Sequence, residues 1–528
     1  MGKEGITTSK RLIHNTLFNL VRLVSNAVIA FILVRFFFGR LGELKYGVWV
    51  LIASIFHYRT LLSMGLNSSI NRYIPVYLAK DDTRGIQRII STSLFFFSLL
   101  AVVLALLTLV ICYNLASWFE IKPELVGDAR KLVLVVGLCF AVAMPLQLSS
   151  AVLSGLQRYD IVGLAEILPL LLRTVIVVVL LLRGYGLIAM GLTYGMSEIL
   201  MRVLQFGFAR KLLPNSSPSL TNIDLKLLRE MLAYGVNTFL YAMGAIIIYK
   251  ASDLVIGALI GTAEVSQFSI AAAGVLLLSQ LLQAFSAAIK PAVSDLDARN
   301  EHTHVKEIAL LTQKYSLLAI IPGGCFLIAM GREFLWVYVG DRFEDPTLID
   351  TMGVILAILA VAHCLRLAQH SNFLVLVGRG EHRIFGIFAA LGALLCVLGA
   401  VISVKFFNWG LLGVAWSNFL PMVLISGLIL PIYFNWKMKI SARDSVLRVW
   451  RPALLGCLPS VALIVLWKYL SPPDSWVEIG GVVFTAMVVT VAGSWLLSLD
   501  TIERKRFVRI FERKPRASAA GSATEPGP

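Results

Sequence analysis

Apolar residues run along this chain in blocks of about twenty or more, separated by short polar connectors, from residue 13 to residue 499. A block of that length crosses the hydrocarbon core of a bilayer as one helix. The pattern predicts spans at 13–38, 44–66, 87–113, 129–153, 161–182, 184–206, 232–260, 264–289, 309–330, 351–377, 384–404, 409–434, 452–470 and 476–499. Two of the turns are tight, and Gly184-Tyr185-Gly186 and Asn408-Trp409-Gly410 supply the break there. The result is an all-α membrane protein with about fourteen transmembrane helices.

The polar connectors set the orientation. With both termini cytoplasmic, about 29 Lys and Arg fall on cytoplasmic segments, about 10 outside and about 8 within spans, as the positive-inside rule requires. Lys437 to Arg451 and Arg504 to Arg516 are the clearest cytoplasmic stretches, and Arg332 to Asp350 is an acidic outer loop. The first block is too long for a signal h-region and reads as a retained span. The expected place is the inner membrane, with multiple passes.

Composition agrees. The chain is 58% hydrophobic and 15% charged, against roughly 45–50% and about 25% in soluble domains. The net charge of +16 belongs to the connectors, so it marks topology rather than nucleic-acid binding. Six scattered cysteines include no CxxC pair, which argues against a zinc site or a disulfide framework. Walker A, Gly-rich nucleotide-loop and HExxH patterns are missing. The chain therefore reads as a carrier, not an enzyme, with no metal or cofactor.

The chain also repeats itself at an offset of about 220 residues. Ile70, Ala79, Lys80, Asp82 and Ile89 fall on Ile289, Ala298, Arg299, Glu301 and Ile308; Gly155, Ile161 and Gly163 on Gly378, Ile384 and Gly386; Tyr185-Gly186-Leu187-Ile188 on Trp409-Gly410-Leu411-Leu412. Six helices per copy is an even number, so both copies share one orientation and form a parallel repeat about an axis along the membrane normal. The expected organisation is a first lobe over 1–206, a cytoplasmic linker over 207–231 and a second lobe over 232–434. Two more helices follow over 435–499, then a basic, Ala/Ser/Gly/Pro-rich tail over 500–528. Within the linker, Ile223 to Met231 is amphipathic and reads as a short helix lying on the membrane surface.

Charged residues inside spans carry the candidate chemistry, since each costs about 2.5–3.5 kcal/mol near the bilayer centre. Arg35 and Lys314 lie near helix ends and can snorkel; Glu198 with Arg202, and Lys250 with Asp253, have the spacing of helix neighbours that pair. Asn15, Asn19, Arg22 and Asn26 form one polar stripe on the first span, and Ser279, Gln283, Ser286 and Lys290 another on the eighth. Arg59 sits on the second span. His363, Arg366 and His370 share a face of the tenth, and Glu166 and Arg173 flank a helix-kinking Pro169 on the fifth. The bland reading of such stripes is polar glue between helices. The deep charges are mostly cationic, however, and a cavity lined by guanidinium groups favours an anionic cargo with phosphate oxygens. On this reading Arg22, Arg59, Lys290 and Arg366 hold the cargo. Asn19, Asn26, Glu166, Arg173, Lys250, Asp253, Gln283, His363 and His370 supply cavity polarity or coupling.

Three segments resemble the polysaccharide transporter branch of the MOP flippase superfamily, which includes O-antigen flippases of the Wzx type. They are Met64-Gly65-Leu66 running to Arg72-Tyr73-Ile74; Asp253, Gly257, Gly261, Val265, Phe268 and Ala271 at the family's spacing; and Ser154-Gly155-Leu156-Gln157-Arg158 after the fourth helix. The resemblance implies a MATE-like fold of two lobes and the movement of undecaprenyl-pyrophosphate-linked oligosaccharide to the outer leaflet. It also implies cavity cations on the first two helices, where Arg22 and Arg59 stand. Lipids, a polysaccharide polymerase and glycosyltransferases are the implied partners. The alternatives are a multidrug carrier of the same superfamily, a major-facilitator carrier (whose loop motif is missing between Asn71 and Arg88) and a membrane polysaccharide polymerase.

Overall fold

A computed structural model describes residues 2–214, 217–286, 289–343, 345–381 and 383–505; for residues 2–24, 26–27, 237–238, 284–285 and 290–291 it describes the backbone alone. The first lobe comprises α1 (Gly2–His57), the one-turn α2 (Arg59–Leu62), α3 (Leu66–Leu78), α4 (Thr83–Trp118), α5 (Pro123–Ala143), α6 (Leu148–Gly155), α7 (Tyr159–Leu182) and α8 (Leu187–Leu212). The second comprises α9 (Leu225–Leu259), α10 (Thr262–Ser286), α11 (Ile289–Ala298), α12 (His302–Val339), α13 (Thr347–Ala368), α14 (His370–Gly378), α15 (Arg383–Lys405), α16 (Gly410–Met422) and α17 (Leu430–Lys437). The one-turn α18 (Ala442–Ser445), then α19 (Arg451–Leu470) and α20 (Trp476–Gly493), complete the chain.

The internal repeat is visible in this order. Short α3, long α4, long α5, short α6 and long α7 and α8 recur as α11, α12, α13, α14, α15 and α16. Their packing recurs too: α4 lies against α5, α5 against α8 and α7 against α8, as α12 lies against α13, α13 against α16 and α15 against α16. Each lobe has its own core, built around Leu66, Ile70 and Phe97 in the first and Val293, Phe385 and Phe434 in the second.

Among the described residues, eleven helical segments are long and apolar enough to cross a membrane, or twelve when the bent α5–α6 pair counts as one span. That count leaves out α1, whose 56 residues make about 84 Å of helix, far more than one crossing needs. Its backbone leaves helical geometry at Gly42 (φ 75°, ψ 171°), between the first two predicted spans. Only glycine adopts that conformation without strain. Outward faces are apolar, as lipid contact demands: Leu99, Val102, Leu106 and Leu109 on α4 and Leu164, Leu168 and Val175 on α7 are all exposed.

Two expectations change. Ile223 to Met231 does not lie apart on the surface, because α9 runs unbroken from Leu225 into the seventh span. The Asp224 carboxylate caps it, accepting from the backbone N–H of Lys226 and Leu227 at 3.0 Å. Leu227 and Met231 then bury in the first lobe's core. An amphipathic stripe needs an apolar surface, and here that surface is α3 and α4 rather than lipid. The helix α7 runs through Pro169 as one element, Tyr159–Leu182. Lys314 does not snorkel, as described below.

The lobes meet closely at the end that carries Gly42. A Cβ on Gly47 would lie 1.7 Å from the Thr262 carbonyl oxygen, so the backbones touch, as small residues allow between membrane helices. Around them Ser266 donates to the Glu43 carbonyl at 3.0 Å, Gln267 to the Glu43 carboxylate at 2.7 Å, and the Glu120 N–H to the Gly257 carbonyl at 2.8 Å. Phe31 stacks on Tyr338 with ring centroids 4.4 Å apart, and the Tyr338 hydroxyl donates to the Phe31 carbonyl at 2.6 Å. Arg35 reaches across to the Val337 carbonyl and to Asp341.

Candidate functional site

The first lobe holds a cluster of three guanidinium groups around one carboxylate. The second predicted span ends in the loose turn of α2, which places Arg59 against α8. There Arg59 meets Glu198 at 3.2 Å, and Glu198 also accepts from Arg202 at 2.9 Å. All three side chains are only 13% exposed. Arg59 stacks on Phe140 with its guanidinium carbon 4.0 Å from the ring centroid, and Arg173 covers Tyr194 at 5.2 Å. The expected Glu198–Arg202 pair is present. Arg59, expected to face a cargo, also shares Glu198. Arg59 and Arg202 share that one carboxylate, and the faces of Phe140 and Tyr194 add cation–π contacts to Arg59 and Arg173. Glu166 and Arg173 lie on α7, one helix away.

The second lobe holds Arg366 without such a partner. Among the described residues no carboxylate pairs with it, and its Nε is enclosed with no hydrogen-bond partner. It covers Tyr249 at 4.4 Å, and the same ring stacks on His363 at 5.0 Å. The Tyr249 hydroxyl bonds Ser279 at 2.8 Å, and Gln283 donates to that Ser279 at 3.1 Å. The stripe on the eighth span thus joins the face of the tenth through one tyrosine. His370 lies beyond the helix interruption at Gln369, beside Arg366 in a small pocket.

Between the lobes Asp253 accepts from Lys250 at 3.3 Å, the pair its spacing predicts, and from Ser54 at 2.7 Å across the interface. Lys314 is 5% exposed and bound to both oxygens of Glu503, at 2.6 and 2.7 Å. The side chains of Asn15, Asn19, Arg22, Asn26 and Lys290 lie outside the described residues.

Beside the second lobe runs an apolar cleft of about 950 Å³ between α10, α12 and α20. Leu278, Leu282, Phe326, Val483, Met487 and Trp495 line it, with few polar groups such as Tyr315, Thr490 and Ser494. Nothing in the residue pattern marks this cleft, because its walls carry the same residues as any lipid-facing helix. Glu198 as a bridge and Tyr249 as a platform were also missed. A signal for the helix breaks did exist: Gln147-Leu148-Ser149 and Gln369-His370-Ser371 stand 222 residues apart, at the α5–α6 and α13–α14 interruptions.

A chain of two similar helical lobes is matched by known proteins. A family model described as polysaccharide biosynthesis protein matches residues 32–347, more than half of the chain. The chain belongs to that family. Over 155 residues it is 24% identical to a Shigella flexneri protein named as an O-antigen transporter, a match covering 29% of this chain and 37% of the relative. The matched stretch thus spans little more than a third of that relative's length. Among solved structures, the lipid II flippase MurJ in an inward closed conformation superposes with a TM-score of 0.65 and 17% identity, covering 96% of this chain and all of that one. An inward-facing multidrug resistance MATE transporter of the MOP superfamily superposes at 0.59 and 17% identity, covering 81% and 96%. The family's fold is therefore the MOP fold, as its resemblance implied.

Proposed function

We propose that this family member is a flippase, which carries lipid-linked anionic oligosaccharide units across the inner membrane by alternating access. The observation that supports it most is the presence of two kinds of surface in one chain. An apolar cleft of about 950 Å³, at the upper end of ordinary ligand pockets (about 300–1,000 Å³), suits a polyprenyl tail. Guanidinium groups within both lobes suit a diphosphate and acidic sugars. With the termini cytoplasmic, as the Lys and Arg distribution favours, the Gly42 end faces outside. The lobes are then closed to the outside, and the head group enters from the cytoplasm. Rocking the lobes apart at Gly47, Phe31 and Arg35 would release it outward.

In this scheme Arg22 and Arg59, with Lys290, attract the diphosphate, and Arg366 meets the acidic sugars. Glu198 holds Arg59 in place and yields it when a phosphate competes. Asp253, bridging Lys250 and Ser54 across the lobes, is a candidate for coupling to lobe movement, and Glu166 is another. The chain's role is carriage, with polymerase and glycosyltransferase partners acting on either side of it.

The test is flipping of a fluorescent polyprenyl-diphosphate oligosaccharide in proteoliposomes. Arg59→Ala and Arg22→Ala should each reduce the initial rate at least tenfold while the protein still reconstitutes. Wild-type rates in both variants would refute the cationic path. Transport of a cationic drug with no movement of the lipid-linked sugar would favour the multidrug reading instead.

A further inference from the structure

Two interruptions of regular helix face each other in the second lobe. The α13–α14 helix breaks at Gln369, between Arg366 and His370. Opposite, the twelfth span widens into a π-helical stretch at Val423–Ile429, a feature that proteins tend to keep at functional sites. Between them lies a pocket of about 40 Å³, lined by Arg366, Gln369, His370, Tyr241, Ser426 and Phe385 among others, with no carboxylate in its wall.

The pocket is short of negative charge and supplied with donors. Arg366 is held from behind by the Tyr249 ring at 4.4 Å, and its Nε has no partner. The Gln369 carbonyl oxygen is taken by Asn372 at 2.9 Å, which leaves its amide N–H groups to donate. Tyr241 and Ser426 add hydroxyls. A guanidinium enclosed in apolar surroundings without a counter-charge is costly, and an anion in the pocket would remove that cost. Size selects the anion. The volume admits about three water-sized spheres, which fits a halide or the three heavy atoms of a carboxylate, and is too small for a diphosphate.

We propose that Arg366 and the two helix interruptions form a binding site for a small monoanion, distinct from the place where a diphosphate would sit. The anion is a free halide or the carboxylate of an acidic sugar. The second source rests on the flippase reading; the first does not, and binding is measured without transport.

The experiment follows the melting temperature of the purified full-length chain in detergent. Chloride or glucuronate replaces a bulky sulfonate at constant ionic strength, with glucose as the uncharged control. A ligand of the folded state raises the melting temperature saturably. The wild type should respond to chloride, glucuronate or both, and not to glucose. Response to chloride identifies a halide-accepting site; response to glucuronate alone identifies the sugar carboxylate. Arg366→Gln should flatten the response, while Arg448→Gln, at an exposed ion pair with Glu307 and outside the pocket wall, should keep it. Arg366→Lys keeps the charge but loses the planar fork, and should raise the midpoint about tenfold. Should Arg366→Gln not fold, Arg366→Lys and Gln369→Leu decide. The proposal is overturned by a wild type that responds to neither anion, by a wild-type response in Arg366→Gln, or by unchanged midpoints in both Arg366→Lys and Gln369→Leu.

Discussion

Lys314 and Glu503 form the most enclosed ion pair described in the chain, 5% and 8% exposed, and removing either partner should cost far more than removing both. Glu503 is almost fully satisfied: it accepts from Lys314 on both oxygens, from the Tyr315 hydroxyl at 3.4 Å and from the Asp500 N–H at 2.9 Å. Lys314 also reaches the Ser498 carbonyl at 3.5 Å. Deleting one partner of a buried pair strands the other charge, at a cost of about 3–5 kcal/mol. Replacing both with apolar groups of similar volume is close to neutral and can stabilise by about 1–4 kcal/mol. Lys314→Met and Glu503→Leu should therefore each lower the melting temperature markedly, and the double variant Lys314→Met/Glu503→Leu should recover most of the loss. A local readout accompanies the global one. Because Glu503 follows the π-helical stretch Ser494–Ser498 beyond α20, and Trp495 and Leu499 there line the apolar cleft, single variants should also speed protease cleavage after residue 500. Single-variant losses that simply add in the double variant would refute the reasoning, since additivity means the two side chains do not interact.

Bridging Phe31→Cys and Tyr338→Cys with a bifunctional thiol reagent, in a chain whose native cysteines have been replaced, should hold the Gly42 end shut and stop flipping, with activity returning on reduction; unaffected transport would show that this end does not open. Val483→Trp, at an exposed position on the cleft wall, should lower flipping of lipid-linked substrate several-fold while leaving the melting temperature nearly unchanged, and a wild-type rate would remove the cleft from the path. Asp253→Asn weakens the charge-assisted bonds to Ser54 and Lys250, worth about 1.5–3 kcal/mol, so the melting temperature should fall, and Ser54→Ala should fall less because Lys250 stays paired. Equal losses in these two variants would contradict the assignment of Lys250 to Asp253.

The sequence by itself determined most of what depends on local chemistry. Blocks of twenty apolar residues leave a backbone no choice but helix in lipid, so span positions, the turn at Tyr185, the repeat and the Glu198–Arg202 and Lys250–Asp253 neighbours were all legible. Tertiary structure decided whatever depends on which surfaces meet. Periodicity gives Ile223–Met231 an apolar stripe but cannot say whether lipid or α3 covers it; the fold chose α3. It cannot show that Arg59 shares a carboxylate 139 positions away in the chain, or that Lys314 finds Glu503 instead of solvent. The cleft beside α20 exists only because three apolar faces stand apart rather than packing together. Burial and pairing are properties of distances between segments, and one-dimensional order fixes distances only within a segment.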